Sequence, residues 1–263
     1  MKTKYLKHFV IIICAFNLSV AMCGAATVPY FEDFDSYAVG DTPVANFTEV
    51  DSTTWTIVAP SFSGQAYQNE ISVFSPGPGF VVGENSSAVV NFPRLATTGF
   101  LLSTSFVIDE LILEGADPSN TANIGLVARA ADSMPASSGG DRYQVSYFLD
   151  DDDLGHPTGK LYLTEHNLFF GDSLNVLSTG TLPVVVGHLY SFALEGRISG
   201  TSLLLRARLT DETTSTRISV AATDSANILS GSFFGYFNNV RVKDGGTVTI
   251  NADFDDFFAR ARR

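Results

Sequence analysis

The sequence predicts an all-β chain, folded as a two-sheet antiparallel β-sandwich with little helix. Three observations lead there. Short runs rich in Val, Ile, Phe, Tyr and Thr recur along the chain, bounded by clusters of Gly, Pro, Asp, Asn or Ser. Several of these runs alternate apolar and polar residues with period two, as a sheet buried on one face requires. No segment carries a long apolar stripe of period 3.6 with caps at its ends.

The elements follow in order. Residues 1–26 have the parts of a secretory signal peptide: Lys2, Lys4 and Lys7, then the apolar run Phe9–Ala21, then small residues at Gly24, Ala25 and Ala26. The run is shorter than the roughly 20 residues of a membrane-spanning helix, and no other run is long enough to span. Lipidation at Cys23 is disfavoured because Met22, not a small residue, precedes it. The expected product is a secreted, extracellular or periplasmic domain of residues 27–263. With Cys14 and Cys23 removed, that domain has no disulfide, no cysteine-ligated zinc and no thiol chemistry.

Strands are expected at Thr54–Ala59, Gly99–Asp109, Ile124–Ala131, Arg142–Leu149, Lys160–Thr164, Leu189–Glu195, Ser202–Leu209, Arg217–Ala222, Ser232–Phe237 and Thr247–Phe258. A single short helical turn is expected near Ser225–Leu229. In Arg142–Phe148, Tyr143, Val145 and Tyr147 share one face, and Arg142, Gln144 and Ser146 share the other. In Ser202–Leu209, Leu203, Leu205, Ala207 and Leu209 oppose Leu204, Arg206 and Arg208.

Charge excludes some partners. Asp and Glu number 28 against 16 Lys and Arg, and three of the lysines belong to the signal segment. Such a surface repels phosphate backbones and anionic membranes, so no nucleic-acid partner is expected. Neutral or cationic ligands and divalent cations suit it better.

The chain's two ends resemble a known family. The start reads Tyr30-Phe-Glu-Asp-Phe-Asp-Ser-Tyr-Ala-Val-Gly-Asp-Thr-Pro43, and the end reads Ala252-Asp-Phe-Asp-Asp-Phe-Phe-Ala-Arg-Ala261. Between them come Gly125-Leu-Val-Ala-Arg129, Arg142-Tyr143 and Ser230-Gly231…Gly235. These resemble, in order, the concanavalin A-like (laminin G-like) lectin and glucanase jelly rolls of secreted bacterial proteins. The resemblance implies a jelly roll whose first and last strands lie side by side. It also implies a structural calcium ion near acidic residues of those strands, here Asp33, Asp35, Asp255 and Asp256. Asp33 and Asp35 share a strand face roughly 7 Å apart, and like charges gathered this way repel without a counter-ion.

Glucanases of this fold aim alternate carboxylates of Glu-x-Asp-x-Glu at one sugar bond. The sequence has no such motif. Its nearest spacings are Asp33-x-Asp35, Asp151-x-Asp153 and Asp253-x-Asp255. Alginate lyases use a related jelly roll with Arg, Gln, His and Tyr on one face, and Arg129, Arg142, Gln144, Tyr162 and His166 are the candidates for such a ligand-binding face. The histidines lack metal-binding spacing, and neither a nucleophile elbow nor a phosphate loop is present. Trp55, the single tryptophan, is expected in the core. The expected function is a non-catalytic module that binds carbohydrate or cell-surface material. The alternatives are a polysaccharide-cleaving enzyme (a glycoside hydrolase or lyase) and a structural envelope protein.

Overall fold

The computed structural model describes residues 25–42, 44, 46–50, 55–59, 64–114, 120–132, 140–151, 157–166, 174–226 and 228–262. The expected signal segment, apart from Ala25 and Ala26, lies outside the described residues, as do Asp152 and Asp153. Sixteen strands are described. In chain order they are β1 (Tyr30–Glu32), β2 (Thr48–Val50), β3 (Trp55–Val58), β4 (Ala66–Ser75), β5 (Val81–Asn91), β6 (Gly99–Glu114), β7 (Thr121–Ala130) and β8 (Arg142–Asp151), followed by β9 (Pro157–His166), β10 (Asn175–Leu177), β11 (Leu182–Pro183), β12 (Leu189–Ser199), β13 (Ser202–Asp211), β14 (Thr216–Asp224), β15 (Phe233–Lys243) and β16 (Gly246–Arg262).

The strands form two antiparallel sheets. The first runs β14-β13-β12-β6-β16-β4-β3, with β1 on β16. The second runs β10-β9-β8-β7-β15-β5-β2, with β11 on β9. The chain's two ends do lie together: Tyr30 pairs with Ala259 and Glu32 with Phe257. This is the two-sheet sandwich that the alternation predicts.

The inner faces meet in one apolar core. Leu203, Leu205, Ala207 and Leu209 of β13 point inward, while Leu204, Arg206 and Arg208 are exposed. At the centre, Trp55 stacks among Tyr67 (4.9 Å), Tyr236 and Phe254 (both 5.7 Å). Its burial is complete, which matches the core position read from the sequence. Polar groups also bridge the layers. Asn238 donates to Asn69 Oδ1 at 2.9 Å, and Trp55 Nε1 and Asn69 Nδ2 both donate to Ser86 Oγ.

Helix is scarce, but not where expected. Among the described residues of 225–229 no helical turn forms, because those groups bond elsewhere. Asp224 Oδ1 accepts from Ala226 N at 3.0 Å, and Leu229 N donates to the Tyr143 hydroxyl at 3.0 Å. The 3-10 turn sits instead at Pro93–Ala96, where proline's fixed φ favours a first helical position. Asp150 and Asp151, just beyond the expected strand Arg142–Leu149, extend β8 and pair with Thr158 and Pro157.

Candidate functional site

The outer face of the second sheet carries a groove of about 260 Å³. Its floor is built by registered rows of side chains across β5, β15, β7, β8 and β9. One row runs Asn85, Asn239, Asn123, Phe148, Lys160; the next runs Ser87, Phe237, Gly125, Ser146, Tyr162. Beyond them Gln144 faces Thr164, and Arg142 faces His166. Period-two alternation puts every one of these side chains on the face away from the core.

Gly125 keeps the middle of the floor low. A Cβ there would lie 2.8 Å from the Val145 carbonyl and 3.0 Å from that of Phe237, so a larger residue would force the strands apart as well as fill the groove.

The groove is wired by hydrogen bonds. Arg142 Nε donates to Gln144 Oε1 at 3.1 Å, and Gln144 Nε2 donates to Ser146 Oγ at 2.9 Å. The Arg142 guanidinium also lies over the Phe237 ring, 5.3 Å from its centroid. Asn123 Nδ2 donates to Asn239 Oδ1 at 3.0 Å, and Asn239 Nδ2 donates on to Asn85. That leaves Asn123 Oδ1 buried without a hydrogen-bond partner among the described residues. Phe148 and Tyr162 meet edge to face at 6.4 Å and are only half-buried, so part of each ring faces the groove. Among its described lining residues there is no Asp or Glu.

Four of the five residues singled out in the sequence therefore come together here: Arg142, Gln144, Tyr162 and His166. Arg129 does not join them. It is 1% exposed and donates to the Thr98 and Leu229 carbonyls at 2.8 Å, with the Phe100 ring beside it. The cause is a β-bulge. Between the pairs Val127–Gly235 and Ala130–Phe233, β7 uses one residue more than β15, and Arg129 takes up the extra residue with φ +51°. The alternation that would have aimed it at the groove is broken one residue too early.

Sequence reading missed Asn85, Asn123, Asn239, Phe148 and Phe237. Phe148 and Phe237 lie in expected strands, so their parity was legible. Asn85 lies on β5, where no strand was expected, and Asn123 and Asn239 lie just beyond the expected strand bounds; which strands are neighbours was not legible at all.

The acidic ends form a second cluster. Asp253 and Asp255 face outward on β16 yet are nearly buried, at 2% and 8% exposed. Burial pushes the carboxyl of Asp253 up to about 7, helped by a hydrogen bond with Asp109. Burial likewise pushes Asp255 up to about 7, helped by the charges of Asp256, Asp35 and Asp33. The four residues named for calcium are thus neighbours. As arranged they do not make a coordination shell: among the described residues no group of three or more His, Cys, Asp or Glu is placed to hold a metal ion. Several of their oxygens are committed to backbone. Asp35 Oδ1 accepts from Gln65 N at 2.7 Å, Asp33 Oδ1 from Asp35 N at 3.3 Å, and Asp255 Oδ1 from Asp256 N at 2.7 Å. Among the described residues no helix is long and apolar enough to cross a membrane.

No protein-family model matches the chain, and no curated protein matches it in sequence. Solved structures do resemble it. Lectin I from Ulex europaeus, in complex with the methyl glycoside of α-L-fucose, is 11% identical, with 89% of this chain and 99% of that one covered and a TM-score of 0.47. Arcelin-5, a lectin-like defence protein from Phaseolus vulgaris, is 12% identical over 90% and 100% of the two chains, with a TM-score of 0.48. The CBM2 module of the evolved Dit protein of Lactobacillus casei BL23 phage J-1 is 13% identical over 89% and 95%, also at 0.48.

Proposed function

We propose that this chain is a secreted, non-catalytic module that binds carbohydrate in the groove of the second sheet. The observation that carries the reading is the groove's chemistry. In a strongly acidic protein its described lining combines amides, hydroxyls, one guanidinium, one imidazole and two half-exposed aromatic rings, with no carboxylate. Amides and hydroxyls match sugar hydroxyls in both donor and acceptor roles, and rings offer flat apolar surface to pyranose faces. A glycoside hydrolase needs two carboxyl groups flanking the scissile bond, and the described lining supplies neither.

The test is a glycan array on the mature protein, followed by titration of any hit. Arg142→Ala and Tyr162→Ala are each expected to weaken binding by roughly ten- to thirtyfold, about 1–2 kcal/mol. Tyr162→Ala is expected to keep its melting temperature within about 2 °C, while Arg142→Ala, which gives up buried bonds to Gln144 and the Gly140 carbonyl, melts several degrees lower but stays folded. A blank array, or binding that both variants leave intact, sinks the reading; a blank array leaves the structural envelope role.

One observation favours a second reading. Arg142, Gln144, Tyr162 and His166 converge in one groove, which suits a uronate: the guanidinium and amide meet the sugar's carboxylate, and an imidazole can take the proton next to it. A polysaccharide lyase of this kind releases unsaturated products that absorb in the ultraviolet, and a broad uronate panel that stays silent removes it. The calcium ion implied for Asp33, Asp35, Asp255 and Asp256 is a separate proposal, supported only by the like charge gathered there. It requires a melting temperature that rises with calcium and a rise lost on Asp255→Ala.

A further inference from the structure

The outer face of the first sheet carries a cluster of arginines that the groove reading does not use. Arg260 of β16 pairs with Leu101 of β6, Leu101 with Glu195 of β12, and Glu195 with Arg206 of β13. One row therefore holds two arginines with a single glutamate between them. Their backbones stand about 14 Å apart, three strand spacings. Arg208 follows two residues along β13, Arg197 two residues along β12, and Arg262 two residues along β16. In the rows that hold these five arginines, Glu195 is the single acidic side chain among the described residues. It is already approached by Arg262, whose Nε lies 3.3 Å from Glu195 Oε1.

The other four are not neutralised. Among the described residues, Arg197, Arg206, Arg208 and Arg260 make no ion pair, and all four are exposed. The side chains between them are small or apolar: Ala193, Ser103, Ser219 and Ala221 fill the neighbouring positions. A shallow depression of about 410 Å³, walled by Glu195, Arg197 and Arg206 and floored by Leu204 and Ala221, opens among them. Every cation of the patch is an arginine. Its planar fork bonds carboxylate or sulfate with two parallel hydrogen bonds, where lysine offers a point charge.

We propose that this face is a second binding site, for a linear polysaccharide carrying carboxylate or sulfate groups. The proposal stands independently of the groove on the opposite sheet. The occupant follows from charge and width together. The whole protein has a formal net charge of −12, so a broad anionic surface such as a membrane, or a thick one such as duplex DNA, meets repulsion from the acids around the patch. A single thin chain laid along Arg197, Arg206 and Arg208 on β12 and β13 stays at least two strand spacings, roughly 10 Å, from Asp253, Asp255 and Asp256 on β16. The face thus attracts an anionic polymer that the rest of the molecule repels, which fixes both the site and the orientation of docking.

The test immobilises dextran sulfate and polygalacturonate and measures binding of the full mature protein at about 50 mM salt, where surface electrostatics are weakly screened. Neutral dextran, phosphatidylglycerol vesicles and duplex DNA serve as comparisons. Binding to at least one anionic polysaccharide and not to neutral dextran is expected, weakened roughly tenfold or more at about 500 mM salt. Arg206→Glu combined with Arg208→Glu is expected to weaken it roughly tenfold or more, while Arg142→Ala leaves it unchanged. Arg206→Gln combined with Arg208→Gln keeps the test decisive if the charge reversal fails to fold, since loss of binding is expected there too. No binding at low salt overturns the proposal. So do binding that survives the arginine variants, binding lost on Arg142→Ala, and tighter binding to vesicles or DNA than to either polymer.

Discussion

Trp55→Ala is expected to destabilise the fold by about 3–5 kcal/mol, the range for deleting a large buried aromatic. The indole fills the centre of the sandwich against Tyr67, Tyr236 and Phe254. Its Nε1 also donates to Ser86 Oγ at 2.8 Å, in the network that joins Asn69 and, across the layers, Asn238. Alanine leaves a cavity in a close-packed interior and strips a partner from a buried hydroxyl. Both effects have the same sign. Trp55→Phe keeps most of the ring contact but loses the donor and leaves a smaller cavity, so it is expected to cost about 1–3 kcal/mol, less than alanine. Urea denaturation of the two variants checks this. Since single domains hold only about 5–15 kcal/mol in all, the alanine variant should unfold at a markedly lower urea concentration. A loss below about 1 kcal/mol would show that the indole does not organise the core.

The second large effect is on pH dependence. Asp253 and Asp255 are pushed up to about 7 by burial, with Asp109 acting on the first and Asp256, Asp35 and Asp33 on the second. In the unfolded chain they return to the ordinary value of 3.8. Between these limits the folded state holds protons that the unfolded state has released. Their stabilisation is therefore fully present below about pH 4 and is lost as pH rises through about 7. Glu32 and Asp256, both raised first by burial, act in the same direction. Asp211 acts in the opposite one: burial raises it, but hydrogen bonds from His188, Thr214 and Thr213 leave it lowered overall. Its contribution is lost on acidification below the ordinary carboxylate value.

In cation-free buffer the urea midpoint is thus expected to fall from pH 5 to pH 8, by the equivalent of about 2–4 kcal/mol in total. Asp255→Asn should flatten the profile and exceed the parent protein in stability at pH 8. The amide oxygen still accepts from Asp256 N and no longer ionises in a buried place. A midpoint that climbs with pH over this range, or an asparagine variant less stable at pH 8, contradicts the assignment.

The carboxyl-terminal strand shows how far the sequence could be read and where it stopped. Strict alternation along Phe254-Asp255-Asp256-Phe257-Phe258 puts Asp256 on the same face as Phe254 and Phe258. In the fold Phe254 and Phe257 are buried, and Asp256 is exposed. A bulge between the pairs Asp255–Ser105 and Phe258–Ser103 takes in one extra residue, with Asp256 at φ +53°. Arg129 met the same device on β7 and turned away from the groove. A bulge is set by how two strands fit each other, so a single strand's pattern does not contain it.

What the residues by themselves determined is local and periodic: ten of the sixteen described strands, though not β4 or β5, which face of each is apolar, that Trp55 belongs inside, and that Arg142, Gln144 and Ser146 point the same way. Side-chain alternation depends only on the chain's own pleat, and burial only on each residue's solvation, so both are written in the order of amino acids. What only the tertiary structure decided is adjacency. The groove exists because β8 lies between β7 and β9 and β15 lies beside β7. The arginine face exists because β16 reaches β12 and β13 across β6. Those pairings join residues tens to more than a hundred positions apart, through strand register and loop closure, and no local rule of propensity or spacing encodes them.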